Sequence, residues 1–200
     1  VFNINLQAVI NSSRAFLPYL KQRPEAALIN TSSIFGMITR ERQSVYHTAK
    51  FAVRGFTECL AKELKSSSVQ VHCVHPGHIG TNIITNGRIN KSEESTNSME
   101  RLVMKVLGLG NSQEELAAFF RNNGMHASRA SQIILDGVRK KRSRIMVGTD
   151  AKLMDLAQRL TPMHYEKIFP LFPLTLTLLR NKKPIKGIPS EAKITTRLTN

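Results

Sequence analysis

The stretch Ala26-Ala-Leu-Ile-Asn-Thr-Ser-Ser-Ile-Phe-Gly36 sets the fold class of this chain of 200 residues. Residues 26–32 form a short, nearly unbroken apolar run, which is typical of a strand buried on both faces of a sheet. A polar loop follows, and apolar residues then recur at helical spacing. This spacing predicts a long helix from about 44 to 65. The apolar residues that show it are Val45, Ala49, Ala52, Val53, Phe56, Leu60 and Leu64.

The segments on either side continue this alternation of strands and helices. Further strands are predicted at 69–74, where Pro76-Gly77 marks a closing turn, and at 144–148. Further helices are predicted at 5–20, 113–123, 127–140 and from a capping Asp150 to about Leu160. Alternating strands and helices favour a parallel α/β sheet, whose binding sites lie beyond the carboxyl ends of its strands.

Tyr46 and Lys50 lie one turn apart on the predicted long helix, so their side chains project from the same face. An ammonium close to a phenol stabilises the phenolate, and a phenol so placed can exchange protons near neutral pH. A tyrosine and a lysine at this spacing also occur on ordinary solvated helix faces. The pair is therefore a candidate acid/base pair that needs support from its neighbours.

Hydroxyl and amide side chains supply such neighbours. Ser32 and Ser33 end the first predicted strand, 13 residues before Tyr46 in the case of Ser33. A hydroxyl there can donate a hydrogen bond to an oxygen that Tyr46 protonates. Asn5 opens the first predicted helix, where it is either the N-cap or part of a polar relay.

Together these segments resemble the short-chain dehydrogenase/reductase family. Asn5-Leu6 matches the Asn-Leu pair that opens a helix in that family. Asn30-Thr-Ser-Ser-Ile-Phe-Gly36 matches its strand-to-loop motif, with Ser33 in the catalytic serine position. Tyr46-His-Thr-Ala-Lys50 matches its Tyr-x-x-x-Lys motif, and Val74-His-Pro-Gly-His-Ile-Gly-Thr81 matches its Pro-Gly segment and following threonine. The motifs occur in the family's order.

The resemblance implies an oxidoreductase that interconverts an alcohol and a carbonyl with NAD or NADP, by direct hydride transfer. Tyr46 is then the general acid/base, and Lys50 favours its phenolate and bonds the nicotinamide ribose. Ser33 orients the substrate oxygen, and Asn5 holds a water that links Lys50 to solvent. Further cofactor contacts are implied at Pro76, Gly77, Ile79 and Thr81.

The resemblance also implies a Rossmann-like doubly wound parallel sheet over residues 1–160, followed by a basic extension at 161–200. In the family a Gly-rich turn, the residue that selects NAD or NADP and an Asn-Asn-Ala-Gly segment precede the position of Asn5. None of these is in this sequence. We therefore expect an N-terminally truncated, incomplete sheet in which the strand at 26–32 keeps an unpaired edge. The coenzyme and the activity of this chain alone stay open.

The net charge of +15 is concentrated in the last third of the chain. From Arg139 onwards there are 14 lysines and arginines against 4 aspartates and glutamates, which is +10 of the total. Such a surplus is typical of a solvated tail, of a segment attracted to an anionic membrane surface or of a nucleic-acid site. The absence of interleaved aromatic residues argues against nucleic acid. The apolar run 169–179 is shorter than the ~20 residues of a spanning helix and contains two prolines.

Cysteine and histidine spacing predicts neither disulfides nor a metal site. Cys59 and Cys73 are expected as buried thiols in a reducing compartment, which makes the protein cytoplasmic. His72 and His75 point to opposite faces of one predicted strand, so they cannot converge with His78 on one ion.

Substrate choice is expected to depend on the segment after Thr81, which in the family folds over the active site as a lid. Its apolar positions fit a hydrophobic substrate wall or ordinary helix packing, and they are Met99, Leu102, Val103, Met104, Val106 and Leu107. The implied partners are a small alcohol or ketone and, for the complete protein, further copies of itself through the helix that carries Tyr46 and Lys50. The alternative function is a catalytically silent chain whose basic, apolar tail docks on a membrane or a partner.

Overall fold

The computed structural model describes residues 1–41, 43–83 and 113–167. Its strands are β1 (Ala26–Thr31), β2 (Val69–Pro76) and β3 (Arg144–Val147), which pair in parallel in the order β1-β2-β3. Its α-helices are α1 (Ala8–Lys21), α2 (Ser44–Glu63), α3 (Gln113–Asn123), α4 (Ala127–Arg139) and α5 (Thr149–Leu160). The predicted parallel α/β architecture is confirmed.

Two helix starts differ from the prediction. A π-helical turn at Asn3–Gln7 leads directly into α1, so the first helix begins before residue 5. Helix α5 is capped at Gly148, whose φ of 113° lies in the left-handed region that favours glycine. Asp150 therefore lies inside the first turn of α5 and is not its cap.

Helices cover both faces of the sheet. Helices α1 and α2 pack on one face, where a buried cluster is formed by Leu60, Leu64, Val69 and Val71. Helix α5 packs on the same face through Met154 and Met146. Helix α4 packs on the opposite face, against Val74, Ile145 and Val147. This arrangement is the doubly wound layering expected of the fold.

Strand β1 is the outer strand of the described sheet. Its residues Ala27, Ile29 and Thr31 are exposed, with Ile29 at 41%. They lie on the face that carries α4, which among the described strands packs mainly on β2 and β3. The prediction of a strand buried on both faces is therefore wrong for this part of the chain. The predicted unpaired edge is confirmed within the described sheet.

A buried polar chain fixes the carboxyl end of β1 against the helices. Ser13 donates to Asn30 Oδ1 (3.4 Å), Asn30 Nδ2 donates to Thr57 Oγ1 (3.2 Å), and Thr57 donates to the Val53 carbonyl (2.6 Å). Because buried polar groups need partners, these hydrogen bonds favour a single position of α1 and α2 on the strand.

An ion-pair cluster joins α2, β3 and α5 on the same face. Glu58 accepts from Arg54 (3.0 Å) and from Arg144 (2.5 Å), and Arg144 also approaches Asp155 (3.9 Å). Burial opposes ionisation of Glu58, but the hydrogen bonds from the two guanidinium groups bring its pKa below the ordinary value.

The two cysteines differ. Cys73 is buried on β2, as predicted, and burial raises the pKa of its thiol to about 12. Cys59 is exposed, so the prediction of a buried thiol there is wrong. The sheet-facing positions of α2 are Val53, Thr57 and Leu60, and residue 59 falls outside their stripe.

Several expectations concern residues outside the described ranges. The proposed lid positions from Met99 to Leu107, the apolar run 169–179 and most of the 161–200 extension are among them. In the described part of the chain, no helix is long and apolar enough to cross a membrane.

Candidate active site

The predicted acid/base pair lies at the carboxyl end of β1. Lys50 Nζ stands 5.8 Å from the centre of the Tyr46 ring and donates to the Thr31 carbonyl (3.2 Å). Because Thr31 is the last residue of β1, this bond fixes the ammonium at the strand end. Both side chains are half-buried, and burial lowers the pKa of Lys50.

Ser32 and Ser33 have separate roles. The buried Ser32 hydroxyl donates to the Lys50 carbonyl (2.8 Å) and so ties the strand end to α2. Ser33 caps a 3₁₀ turn at Ile34–Gly36, where its hydroxyl oxygen accepts from the Phe35 amide (3.1 Å). The Ser33 hydroxyl proton is not used in that bond, so it can be donated to another oxygen.

His47 holds the loop between the 3₁₀ turn and α2. Its Nδ1 lies 3.2 Å from the Phe35 carbonyl and its Nε2 accepts from the Arg40 amide (3.2 Å). The ring also stands edge-on to Phe35, with centroids 4.8 Å apart. One neutral imidazole therefore ties the 3₁₀ turn that follows Ser33 and the middle of the next loop to α2.

The segment after β2 is held by a buried carboxylate. Asp150, at 6% exposure, accepts a hydrogen bond from the His78 amide (2.5 Å). A side chain at residue 77 would collide with the Asp150 carboxylate, so Gly77 permits this close approach. Burial raises the pKa of Asp150, while backbone amides act in the opposite direction.

The same segment is held from its other side by Met125. Met125 donates to the His78 carbonyl (3.0 Å), and its own carbonyl accepts from the Gly80 amide (2.9 Å). The predicted cofactor residues Pro76, Gly77 and Ile79 are half-buried in this segment, and Thr81 is exposed. Pro76 is the last residue of β2 and the others follow it, beside the carboxyl end of β1, after which Ser33 lies.

Asn5 lies in the π-helical turn that packs against α2. Its side-chain amide donates to the Val1 carbonyl (3.2 Å). The N-cap interpretation is wrong, because the chain is already helical at Asn3. Its role in a water relay stays a prediction.

The histidines of β2 point to opposite faces, as predicted. His72 Nδ1 lies 2.7 Å from the Arg142 carbonyl, whereas His75 Nδ1 lies 2.9 Å from the Ser33 carbonyl. Among residues 1–41, 43–83 and 113–167, no group of three or more His, Cys, Asp or Glu side chains is placed to hold a metal ion.

A parallel α/β sheet with polar side chains at the carboxyl ends of its strands defines the Rossmann-like class. A family model described as short chain dehydrogenase matches residues 1–92. SadH of Mycobacterium tuberculosis, named as an oxidoreductase, is 33% identical over 172 residues, which cover 84% of this chain and 56% of SadH. The cyclohexanol dehydrogenase of an Acinetobacter strain is 31% identical over 140 residues, or 68% of this chain and 52% of that enzyme. This chain belongs to the short-chain dehydrogenase/reductase family.

Solved structures share the fold. A short-chain dehydrogenase/reductase from Burkholderia phymatum, in complex with NAD, superposes with a TM-score of 0.60 and 20% identity over 94% of this chain and 61% of that one. A short-chain dehydrogenase from Burkholderia cenocepacia, in complex with NADP, superposes with a TM-score of 0.60 and 19% identity, and the match covers 83% of this chain and 56% of that one. The chain thus spans about half the length of the relatives that it matches.

Sequence reasoning missed three side chains that shape the site. His47 lies inside the Tyr-x-x-x-Lys motif, His75 lies inside the Pro-Gly motif and is considered as a metal ligand, and Asp150 is interpreted as a helix cap. The sequence predicts a positioning role for none of them. Only the burial of polar residues in apolar surroundings could have marked them.

Asp150→Ala is expected to loosen the segment after β2. It removes the Asp150 acceptor from the half-buried His78 amide, which costs about 1–3 kcal/mol of unfolding free energy. Hydrogen exchange at that amide and the thermal midpoint measure the effect. Asp136→Ala, which removes an exposed surface carboxylate, is the control. Equal exchange at His78 in both variants would contradict this role of Asp150.

The buried histidines predict a stability that falls in acid. Burial lowers the pKa of His47 and of His75 below the ordinary 6.5. Below about pH 6.5 the unfolded chain therefore binds more protons than the folded chain, so the unfolding free energy declines as pH drops from there. Thermal unfolding from neutral to mildly acidic pH measures the decline, and His47→Asn should flatten it. A stability that stays constant in the wild type over this range would refute the prediction.

Proposed function

We propose that this protein is an oxidoreductase that interconverts an alcohol and a carbonyl with NAD or NADP. The observation that carries the proposal is the position of Lys50, whose ammonium lies over the Tyr46 ring at the end of β1. Ser33 stands at the same strand end. Relatives named as dehydrogenases and reductases, and neighbours in complex with NAD and NADP, support the assignment.

The described residues fit the nicotinamide end of a dinucleotide. Lys50 has three N–H donors, and one of them donates to the Thr31 carbonyl. The other two can bind ribose hydroxyls. Hydrogen bonds with Asp150 and Met125 fix the segment from Pro76 to Thr81. This segment would form one side of the nicotinamide site, and Lys50 at the end of β1 would lie at the neighbouring strand end. A bound NAD or NADP supplies the carbon that gives or takes a hydride.

The chain's own residues then handle the proton and the substrate oxygen. Tyr46 exchanges its phenolic proton with that oxygen, and the Lys50 ammonium stabilises the phenolate left behind. Ser33 accepts from Phe35 and donates its hydroxyl proton to the substrate oxygen. Asn5 holds a water that passes protons between Lys50 and solvent.

The proposed substrates are small alcohols or ketones, held by the segment after Thr81. The proposed setting is the cytoplasm, and the proposed assembly is a homo-oligomer through α2. Phe51 and Cys59 are exposed on that helix, two turns apart, which supports such an interface. The tail-docking alternative rests on residues 168–200, outside the described ranges.

Cofactor binding tests the proposal. NADH and NADPH are titrated by fluorescence into this chain and into a version extended upstream through the Gly-rich turn of the gene. We expect the extended protein to bind one coenzyme more tightly and this chain to bind neither well, because the Gly-rich turn holds the pyrophosphate. Binding by neither protein would overturn the assignment.

A further inference from the structure

His75 is a fully buried polar side chain in the next-to-last position of β2, at 0% exposure. It lies on the sheet face that carries α2 and α5, because it pairs with Met146 of β3. Its Nδ1 stands 2.9 Å from the Ser33 carbonyl oxygen. A residue of one strand thus contacts the backbone of the serine that follows the neighbouring strand.

Ser33 lies where β1 leaves the sheet. The last ladder bond runs from the Ser32 amide to the Val74 carbonyl (2.9 Å). Beyond it the Ser33 carbonyl accepts from the Gly36 amide (3.0 Å) and from the His75 ring, which together use both oxygen lone pairs. The His75 side chain therefore links β2 to the residue that follows the last backbone hydrogen bond between β1 and β2.

The bond fixes the state of the imidazole. A carbonyl can only accept, so Nδ1 carries the ring proton and Nε2 has a lone pair. Nε2 is buried and has no partner among the described residues. The charged groups that act on the ring are Arg54 and Glu58 on α2 and Arg144 on β3. Burial is the largest influence and lowers the pKa of His75, so the ring is neutral at neutral pH.

We propose that His75 is a positioning residue for Ser33: its Nδ1–H holds the Ser33 carbonyl and so aims the serine hydroxyl at the substrate oxygen. The inference rests on the proposed function. Ser33 has an extended backbone (φ −166°, ψ 167°), and within the described residues its side chain is held by the bond from the Phe35 amide. Without the hydrogen bond from His75, the Ser33 carbonyl is held less firmly. The peptide group after Ser33 can then rotate, and the Ser33 hydroxyl moves with it.

Two substitutions of similar size test this role. Asparagine and leucine side chains have nearly the same shape, but His75→Asn keeps an N–H donor at the position of Nδ1, whereas His75→Leu has none. Both side chains end at their δ atoms, so the loss of the outer ring atoms of histidine is common to the two variants. A difference between them therefore reports the hydrogen bond and not the packing.

Hydrogen exchange at the Phe35 amide is the first readout, because that amide is bonded to the Ser33 hydroxyl oxygen. It needs neither cofactor nor substrate. We expect wild type and His75→Asn to protect the amide, and His75→Leu to expose it about tenfold or more. Equal protection in both variants would overturn the proposal.

Turnover is the second readout, in the protein expressed from its complete gene, with a panel of small alcohols that includes cyclohexanol and with either NAD or NADP. His75→Leu should lower kcat about 10- to 100-fold with little change in the coenzyme KM, and His75→Asn should restore most of it. Active wild type with an equally active His75→Leu variant would overturn the role of His75 alone. An inactive wild type would overturn the proposed function, and the exchange experiment would still decide whether His75 places Ser33.

Discussion

Tyr46→Phe is expected to lower kcat by about 10²- to 10⁴-fold, because the phenylalanine ring keeps its place but has no proton to exchange. The loss should fall on kcat and leave coenzyme binding nearly unchanged, since Lys50 and the segment after β2 are intact. Steady-state kinetics of the complete protein, with an NADH or NADPH titration of the same sample, measure both quantities.

Tyr19→Phe is the matched control, because Tyr19 is 67% exposed on α1, away from the strand ends. It should behave as wild type. A Tyr46→Phe enzyme with more than about a tenth of the wild-type kcat would rule out Tyr46 as the general acid/base, since such catalysis contributes at least about 10²-fold.

Lys50→Met is expected to lower kcat by about 10²- to 10³-fold and also to weaken coenzyme binding. Methionine keeps the length of the side chain but removes the ammonium that stands over Tyr46 and bonds the Thr31 carbonyl. This double effect separates Lys50 from Tyr46, whose loss affects kcat alone.

Lys62→Met removes a lysine from the last turn of the same helix and should change neither quantity. A Lys50→Met enzyme with unchanged kcat and unchanged coenzyme affinity would contradict both roles.

The alternation of strands and helices was readable from the sequence, because periodicity depends on neighbours along the chain. The burial of β1 was not, since it depends on what covers the strand. The apolar run at 26–32 predicts two covered faces, but in the described part of the chain helix α4 packs mainly on β2 and β3. The predicted burial of the Cys59 thiol is wrong for a related reason. Its exposure depends on which face of α2 packs on the sheet.

The motif residues of the site were also readable, because Ser33, Tyr46 and Lys50 lie within one strand-loop-helix segment. The contacts that hold them were not. His75 meets Ser33 across 42 residues, and Asp150 meets His78 across 72. Both contacts depend on the register of β1, β2 and β3, which residue types alone do not specify. The motif already assigns the catalytic serine position to Ser33, and the geometry adds that Ser32 ties the strand to α2.

Isotope transfer tests the central claim most directly. The complete protein is incubated with a panel of small ketones, cyclohexanone among them, and with reduced coenzyme that carries deuterium at both hydrogen positions of the nicotinamide C4 carbon. The alcohols are analysed by mass spectrometry. We predict deuterium on the carbinol carbon of any alcohol that the wild type forms and almost no alcohol with Tyr46→Phe. Alcohol formed without that deuterium, or no alcohol from any ketone of the panel with either coenzyme, would contradict the assignment of this protein as an oxidoreductase of alcohols and carbonyls.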